Sequence, residues 1–204
     1  MTDMASFFII ALIFFFSVIL HECAHGWVAY RLGDPTAKER GRLTLNPIKH
    51  VDFLGTIILP IMLVVVGSPV ILGWAKPVPV NFARLRNPKR DMILVGLSGP
   101  MTNIVLAFAL SIILRSNIIP VGTFILQMGI LINLVLAVFN LVPIPPLDGS
   151  RLVMGLLPAR YAYLYAKLER YGIIIVFLLL YFGALRRIVW PVVIQLASYL
   201  GVHL

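Results

Sequence analysis

Two histidines four residues apart, His21 and His25, enclose a glutamate in the string HECAH. On a helix, positions i and i+4 share a face, so both imidazoles can point at one ion. Neutral imidazole binds zinc at ~2.0–2.1 Å. Glu22 falls one position round the helix, beside such an ion rather than on it, where a general base for an attacking water belongs. The spacing is that of the zinc-hydrolase motif HExxH, with His21 and His25 as candidate metal ligands and Glu22 as candidate catalytic base. Histidines packed between helices against carbonyls are the blander reading. It suits a lone histidine better than a pair at this spacing around a glutamate.

A catalytic zinc takes three protein ligands and keeps a fourth position open. His50, Asp52, Asp148 and His203 remain as candidates for the third ligand. Asp148 alone sits beside an apolar stretch, in the irregular string PIPPLDG, whose backbone could aim it inward. The alternative for Asp148 is an Asp-Gly turn at a helix end, solvated by water. His50 reads as a solvated loop histidine, and Cys23 as packing at a variable position of the motif. A single cysteine forms no internal disulfide.

These residues lie in a chain that is 60% hydrophobic and 12% charged, with a mean hydropathy of +0.99. Soluble domains carry about 25% charged residues. Several apolar runs reach the ~20 residues needed to cross a hydrocarbon core. The first runs from about Met4 to Leu32, polar in its second half, and reads as a retained span rather than a signal peptide. No Lys or Arg precedes its apolar run, and Asp3 stands where a basic region would. Met92–Leu114, Ile118–Leu141 and Gly172–Leu185 are predicted as further spans. Ile188–Leu204 is predicted to span or to lie in the interface. The stretch Leu54–Trp74 is broken by Gly67, Ser68 and Pro69 into pieces short enough to re-enter, with one full span against the charge rule as the alternative.

The formal net charge of +9 does not indicate nucleic acid, because the cations lie in short loops between apolar segments. Arg31, Lys38, Arg40, Arg42 and Lys49 follow the first span, and Lys76, Arg84, Arg86, Lys89 and Arg90 follow the broken one. The positive-inside rule makes both loops cytoplasmic and the N-terminus extracytoplasmic. Of the eight acidic residues, Glu22 and Asp148 alone fall within or against apolar spans, where ionisable groups are presumed functional.

Three strings carry a family resemblance: HECAHGWVAYRLGD, LSGPMTNIVLA and NLVLAVFNLVPIPPLDGSRL. They resemble the signature blocks of the site-2 protease family of intramembrane zinc metalloproteases. LTLNPIKHVDFLGTIILP and GWAKPVPVN resemble its compact bacterial and archaeal branch. The likeness runs from about Phe14 to Leu157. It implies one zinc ion held by His21, His25 and Asp148, with Glu22 activating the water. It also implies a site wetted from the cytoplasmic side of the cell membrane, and a transmembrane protein or peptide as substrate. Asn140 matches the position thought to contact substrate or the oxyanion, and Asn103 matches the asparagine of the middle block, grouped with it here as a candidate; interhelical hydrogen bonds that hold spans together are the alternative for both.

The expectation is an all-α polytopic membrane protein, with about five to six transmembrane or re-entrant segments around an intramembrane metal site. Residues 1–204 form one metalloprotease domain, with a signature core at about 14–157 and C-terminal helices over 160–204. The expected activity is zinc-dependent endopeptidase cleavage in or near transmembrane segments. A substrate helix must unwind first, and the proline-rich segment or the 54–74 hairpin could offer it an edge by strand addition. Two competing readings use the same ligands: a metal transporter, and a membrane scaffold that binds without cutting. Transport calls for several sites along a path, whereas this chain offers one compact cluster. A non-cutting scaffold has no need of Glu22. Oligomeric state has no signature in the sequence.

Overall fold

The computed structural model describes residues 4–67, 73, 75–116 and 123–203. Among them, every regular element is helical. Three helices have the length and apolarity to cross a membrane: α1 (Met4–Arg31), α4 (Pro88–Ser116) and α5 (Thr123–Asn140). Between α1 and α4 lie the short α2 (Thr36–Glu39) and α3 (Leu59–Val65). After α5 come α6 (Gly149–Leu156), α7 (Ala159–Ala166), α8 (Gly172–Tyr181) and α9 (Ala184–Tyr199). The chain is an all-α polytopic membrane protein, as the hydropathy indicates.

The helices begin and end where local chemistry dictates. Gly33, at φ +112°, turns the chain out of α1 in a conformation that side chains disfavour. Pro88 opens α4, where its missing N–H costs nothing. Asp91 accepts from the Asn87 amide at 2.8 Å and closes that first turn. Phe8, Leu12, Phe14 and Phe16 on α1 and Val105, Phe108 and Ile112 on α4 are exposed, as lipid-facing positions are.

The region expected to re-enter supports that reading. A π-helical turn over Phe53–Ile58 leads into α3, so the apolar helical piece ends at Val65. Those 13 residues rise ~20 Å, short of the ~30 Å core. The Lys76 amide donates to the His50 carbonyl at 2.8 Å. The excursion between these residues therefore returns to the place it left. Its remainder, residues 68–72 and 74, lies outside the described residues, as do residues 117–122 of the expected Ile118–Leu141 span.

The C-terminal region departs from the expected Gly172–Leu185 span. A helical stretch begins at Ala159 and stops at Tyr181, and the chain bends by 74° before α9. The break is at Gly183, φ +71°, not at the arginines that looked like a span edge. Arg186 and Arg187 belong to the first turn of α9. Leu185, Val189, Val193 and Ala197 form its buried stripe at a spacing of four. They pack with Ala107 of α4 and with Ile130 and Leu134 of α5. The far end of α9 is tied to α4 where Arg115 donates to the Tyr199 carbonyl.

A topology in which 51–75 returns to its own side places Arg40 and Lys76 together. With Cys23 replaced by Ser, single cysteines at Arg40 and at Lys76 should react with an impermeant maleimide from the same face of sealed vesicles. A cysteine at Ser116 should react from the other face. Labelling of Arg40→Cys and Lys76→Cys from opposite faces would overturn the hairpin.

Candidate metal centre

The site is built where α1 crosses α4. His21 and His25 project from the second half of α1 and are both buried. The His21 Nδ1–H donates to Asn103 Oδ1 at 2.6 Å. The His25 Nδ1–H donates to the Val95 carbonyl at 2.7 Å, and Ser98 Oγ donates to the same carbonyl. Each bond fixes the tautomer, because a neutral imidazole that donates from Nδ1 carries a lone pair at Nε2. Both Nε2 atoms face one point, 3.1 Å apart.

Asp148 completes the group. Its Oδ2 lies 3.0 Å from His21 Nε2 and 3.2 Å from His25 Nε2. The loop between α5 and α6 places it there by self-contained turns, with Leu147 N bonding to Ile144 O and Ser150 N to Leu147 O. Tyr165 Oη donates to the Pro143 carbonyl at 2.7 Å. A Cβ at Gly149 would stand 2.2 Å from the Leu141 carbonyl oxygen, so the loop closes on a residue without one. Irregular backbone survives at membrane depth when it is satisfied within the protein in this way.

Three lone-pair-bearing atoms at 3.0–3.2 Å repel one another unless positive charge sits between them. Tetrahedral ligands at ~2.0–2.1 Å from a zinc ion lie ~3.3 Å apart. The donor set, its spacing and its fixed tautomers fit zinc. The backbone of α4 is shaped to the same end. A Cβ at Gly99 would stand 2.4 Å from His25 Nε2 and 2.6 Å from His21 Nε2. The small residue lets α4 pass directly behind the two rings.

Glu22 lines the same cleft, of about 280 Å³, with Asn140 and Arg151. Its Oε2 accepts from the Val78 amide at 2.8 Å. Val78 belongs to a non-helical segment, Lys76–Asn81, whose Pro77, Val78 and Val80 wall the cleft. Arg42 donates from Nη2 to Lys76 O at 2.7 Å, and the Asn81 amide donates to Asp34 Oδ2 at 2.6 Å. Asp34 Oδ1 also receives the Thr36 amide and hydroxyl.

The other candidates fall differently. Asn140 lines the cleft and spends one N–H on the Leu136 carbonyl at 2.9 Å. Asn103 is fully buried, and its Nδ2 donates to Asn133 Oδ1 at 2.9 Å and to Ser17 O. With Oδ1 given to His21, its amide makes interhelical contacts, the alternative that the sequence leaves open for it. His50 is no solvated histidine: it is fully buried and donates from Nε2 to the Thr44 carbonyl at 2.8 Å. Cys23 donates to that carbonyl at 3.2 Å. Asp52 caps the turn at Gly55, its Oδ1 accepting that amide at 2.7 Å.

Sequence reasoning did not single out Gly99, Val95, Asn133 or Arg151. Arg151 stands one turn beyond Asp148, and its guanidinium is held by Glu169 at 2.6 Å and lies over the Phe82 ring. Its position three residues after an aspartate was the available signal. The Val95 carbonyl had none, since any residue supplies one.

Comparison with known proteins points to one family. The model of peptidase family M50 matches residues 116–183. YwhC of Bacillus subtilis, whose name gives it provisionally as a zinc metalloprotease, is 40% identical over 186 residues, covering 86% of this chain and 81% of its own. Rip2 of Mycolicibacterium smegmatis, named in the same provisional way, is 30% identical over 190 residues, covering 91% of this chain and 71% of its own. Zinc metalloprotease MJ0392 of Methanocaldococcus jannaschii is 25% identical over 196 residues, covering 95% of this chain and 48% of its own. No solved structure matches the chain significantly.

Outer partners of a ligating histidine are worth 10–100-fold in metal affinity. Asn103→Leu and Gly99→Ala should each weaken zinc retention by about that factor, measured by competition with a chromophoric chelator. Retention equal to wild type in both variants would show that neither contact sets the imidazoles.

Proposed function

The chain belongs to peptidase family M50, the zinc metalloproteases of the site-2 type, and from the geometry of its cleft we propose that it hydrolyses peptide bonds in or near the transmembrane segments of membrane proteins. The observation that carries this reading is the convergence of His21 Nε2, His25 Nε2 and Asp148 Oδ2 beside the carboxylate of Glu22. One zinc ion per chain, held by those three atoms, is the assignment. When bound, zinc supplies Lewis acidity and lowers the pKa of water toward ~7.

The remaining steps belong to side chains of this protein. Glu22 is the base that takes the proton from the attacking water and delivers it to the leaving nitrogen. The Val78 amide, bonded to Oε2, orients that carboxylate and leaves its second oxygen for the proton. The N–H of Asn140 that Leu136 does not use can donate to the developing oxyanion. Asn103 is a positioning residue that holds the His21 tautomer. The non-helical segment carrying Pro77, Val78 and Val80 lines the cleft and could offer an unwound substrate an edge by strand addition.

The reading treats residues 1–204 as one membrane-embedded unit. Its N-terminus is extracytoplasmic and its cleft opens to the cytoplasm, because the basic loops flank that end of the helices. Transport is the weaker alternative. The cluster is single among the described residues, and a carboxylate oriented beside it serves hydrolysis.

Metal analysis of the purified protein, paired with cleavage of a model transmembrane substrate, tests the reading. Glu22→Gln should lose about 10²–10⁴ in rate, the usual contribution of a general base, and keep its zinc. Asp148→Ala should lose both. Wild-type protein without zinc, or Glu22→Gln that cuts at the wild-type rate, would refute it.

A further inference from the structure

The elbow between α8 and α9 carries a charge pattern that the proteolytic site does not use. From Tyr171 to Val202 the only charged residues are Arg186 and Arg187. Both are exposed. Among the described residues, no carboxylate lies within ion-pair distance of either, since the pairs formed are His21 and His25 with Asp148, Arg84 with Glu39 and Arg151 with Glu169. The helix before them, GIIIVFLLLY, is wholly apolar. Ile173, Phe177 and Tyr181 stand exposed along it, as lipid-facing residues do.

A guanidinium at the bilayer centre is costly even on insertion scales. Two adjacent ones therefore fix the elbow at the level of the headgroups. The local geometry makes more of them than an edge marker. Gly183, at φ +71°, turns the chain through 74°, and a Cβ there would meet nothing. The turn opens a groove of about 500 Å³ lined by Phe182, Arg186, Arg187, Trp190 and Pro191. Arg186 and Trp190 are one helical turn apart, as are Arg187 and Pro191, so cation and ring stand side by side on each row. Phe182 closes the groove from the α8 side and is exposed.

We propose that this elbow binds the phosphodiester headgroup of an anionic phospholipid, with Arg186 and Arg187 on the phosphate and Trp190 and Phe182 against the glycerol and upper acyl chain. Guanidinium matches phosphate oxygens in a bidentate fork. Indole and phenyl rings favour the same depth. A zwitterionic headgroup would bring its own cation against two unpaired ones, so the groove selects net negative charge.

Native mass spectrometry of the full chain in mixed micelles of phosphatidylglycerol and phosphatidylcholine tests the site. Each Lys or Arg near an anionic surface is worth a factor of about five. Wild type should retain phosphatidylglycerol ~25-fold over phosphatidylcholine. Arg186→Gln with Arg187→Gln should bring that ratio close to one, and each single variant should lose ~5-fold. Arg40→Gln with Lys49→Gln removes as much charge elsewhere and should leave the ratio unchanged. Millimolar inorganic phosphate should not displace the lipid. Equal retention of both lipids by wild type, a ratio that survives loss of both arginines, an equal fall in the Arg40/Lys49 variant, or displacement by inorganic phosphate would each overturn the proposal. Circular dichroism and a single gel-filtration peak establish folding; should the double variant fail there, the single variants decide.

Discussion

Two ring nitrogens must be left bare for the cleft to hold a cation, and hydrogen bonds from another helix leave them so. The Asn103 carboxamide and the Val95 carbonyl take the Nδ1 protons of His21 and His25, which leaves both Nε2 atoms as lone-pair donors. Both partners come from α4, one to either side of Gly99. They reach the rings because α4 has no side chain at Gly99 to hold it off. Close approach, tautomer and metal competence are therefore one constraint. The position of α4 against α1 sets all three.

A second consequence concerns charge. The loops after α1 hold cations that a topology argument counts as orientation signals. Arg42 is nevertheless buried and bonded to the carbonyls of the cleft wall. Asp34, also buried, holds the other end of that wall through the Asn81 amide. Between these two anchors, Val78 meets Glu22. A carboxylate that must accept and return a proton gains from a fixed direction, since a rotating one would spend its lone pairs on water. The wall thus sets the direction of the Glu22 carboxylate, the base of the proposed reaction.

The ligand helix was readable from sequence because its evidence is local. Two histidines and a glutamate within five residues need only helical periodicity to share an ion. That Asp148 faces the two histidines was readable for a different reason: a carboxylate against an apolar run is expensive unless it is partnered. Asn103 was readable as a motif position but not as a partner of His21, because that pairing depends on the register of α1 against α4, which no local pattern encodes. His50 was misplaced for the same reason. Its burial comes from the excursion that closes at Lys76, a contact 26 residues away in sequence. At α8 and α9 the charges drew attention away from Gly183, where the left-handed turn breaks the helix. Among the described residues the hydrophobic pattern marked the long apolar helices and ended α1 and α5 within one residue, but it missed the break at Gly183.

The buried polar residues that join the helices also hold His21, and the membrane explains why. In lipid, burying a leucine between helices gains little over leaving it in the acyl chains, so association rests on close packing and interhelical hydrogen bonds. The central polar relay does that work here. Asn133 donates to the Gly129 carbonyl and accepts from Asn103, which reaches Ser17 on α1 and His21 beside it. That chain joins α1, α4 and α5 through buried amides, each satisfied by the next. A soluble enzyme can separate the contacts that hold its fold from those that orient its ligands. Here the relay that draws three helices together ends on His21, one of the three candidate metal ligands.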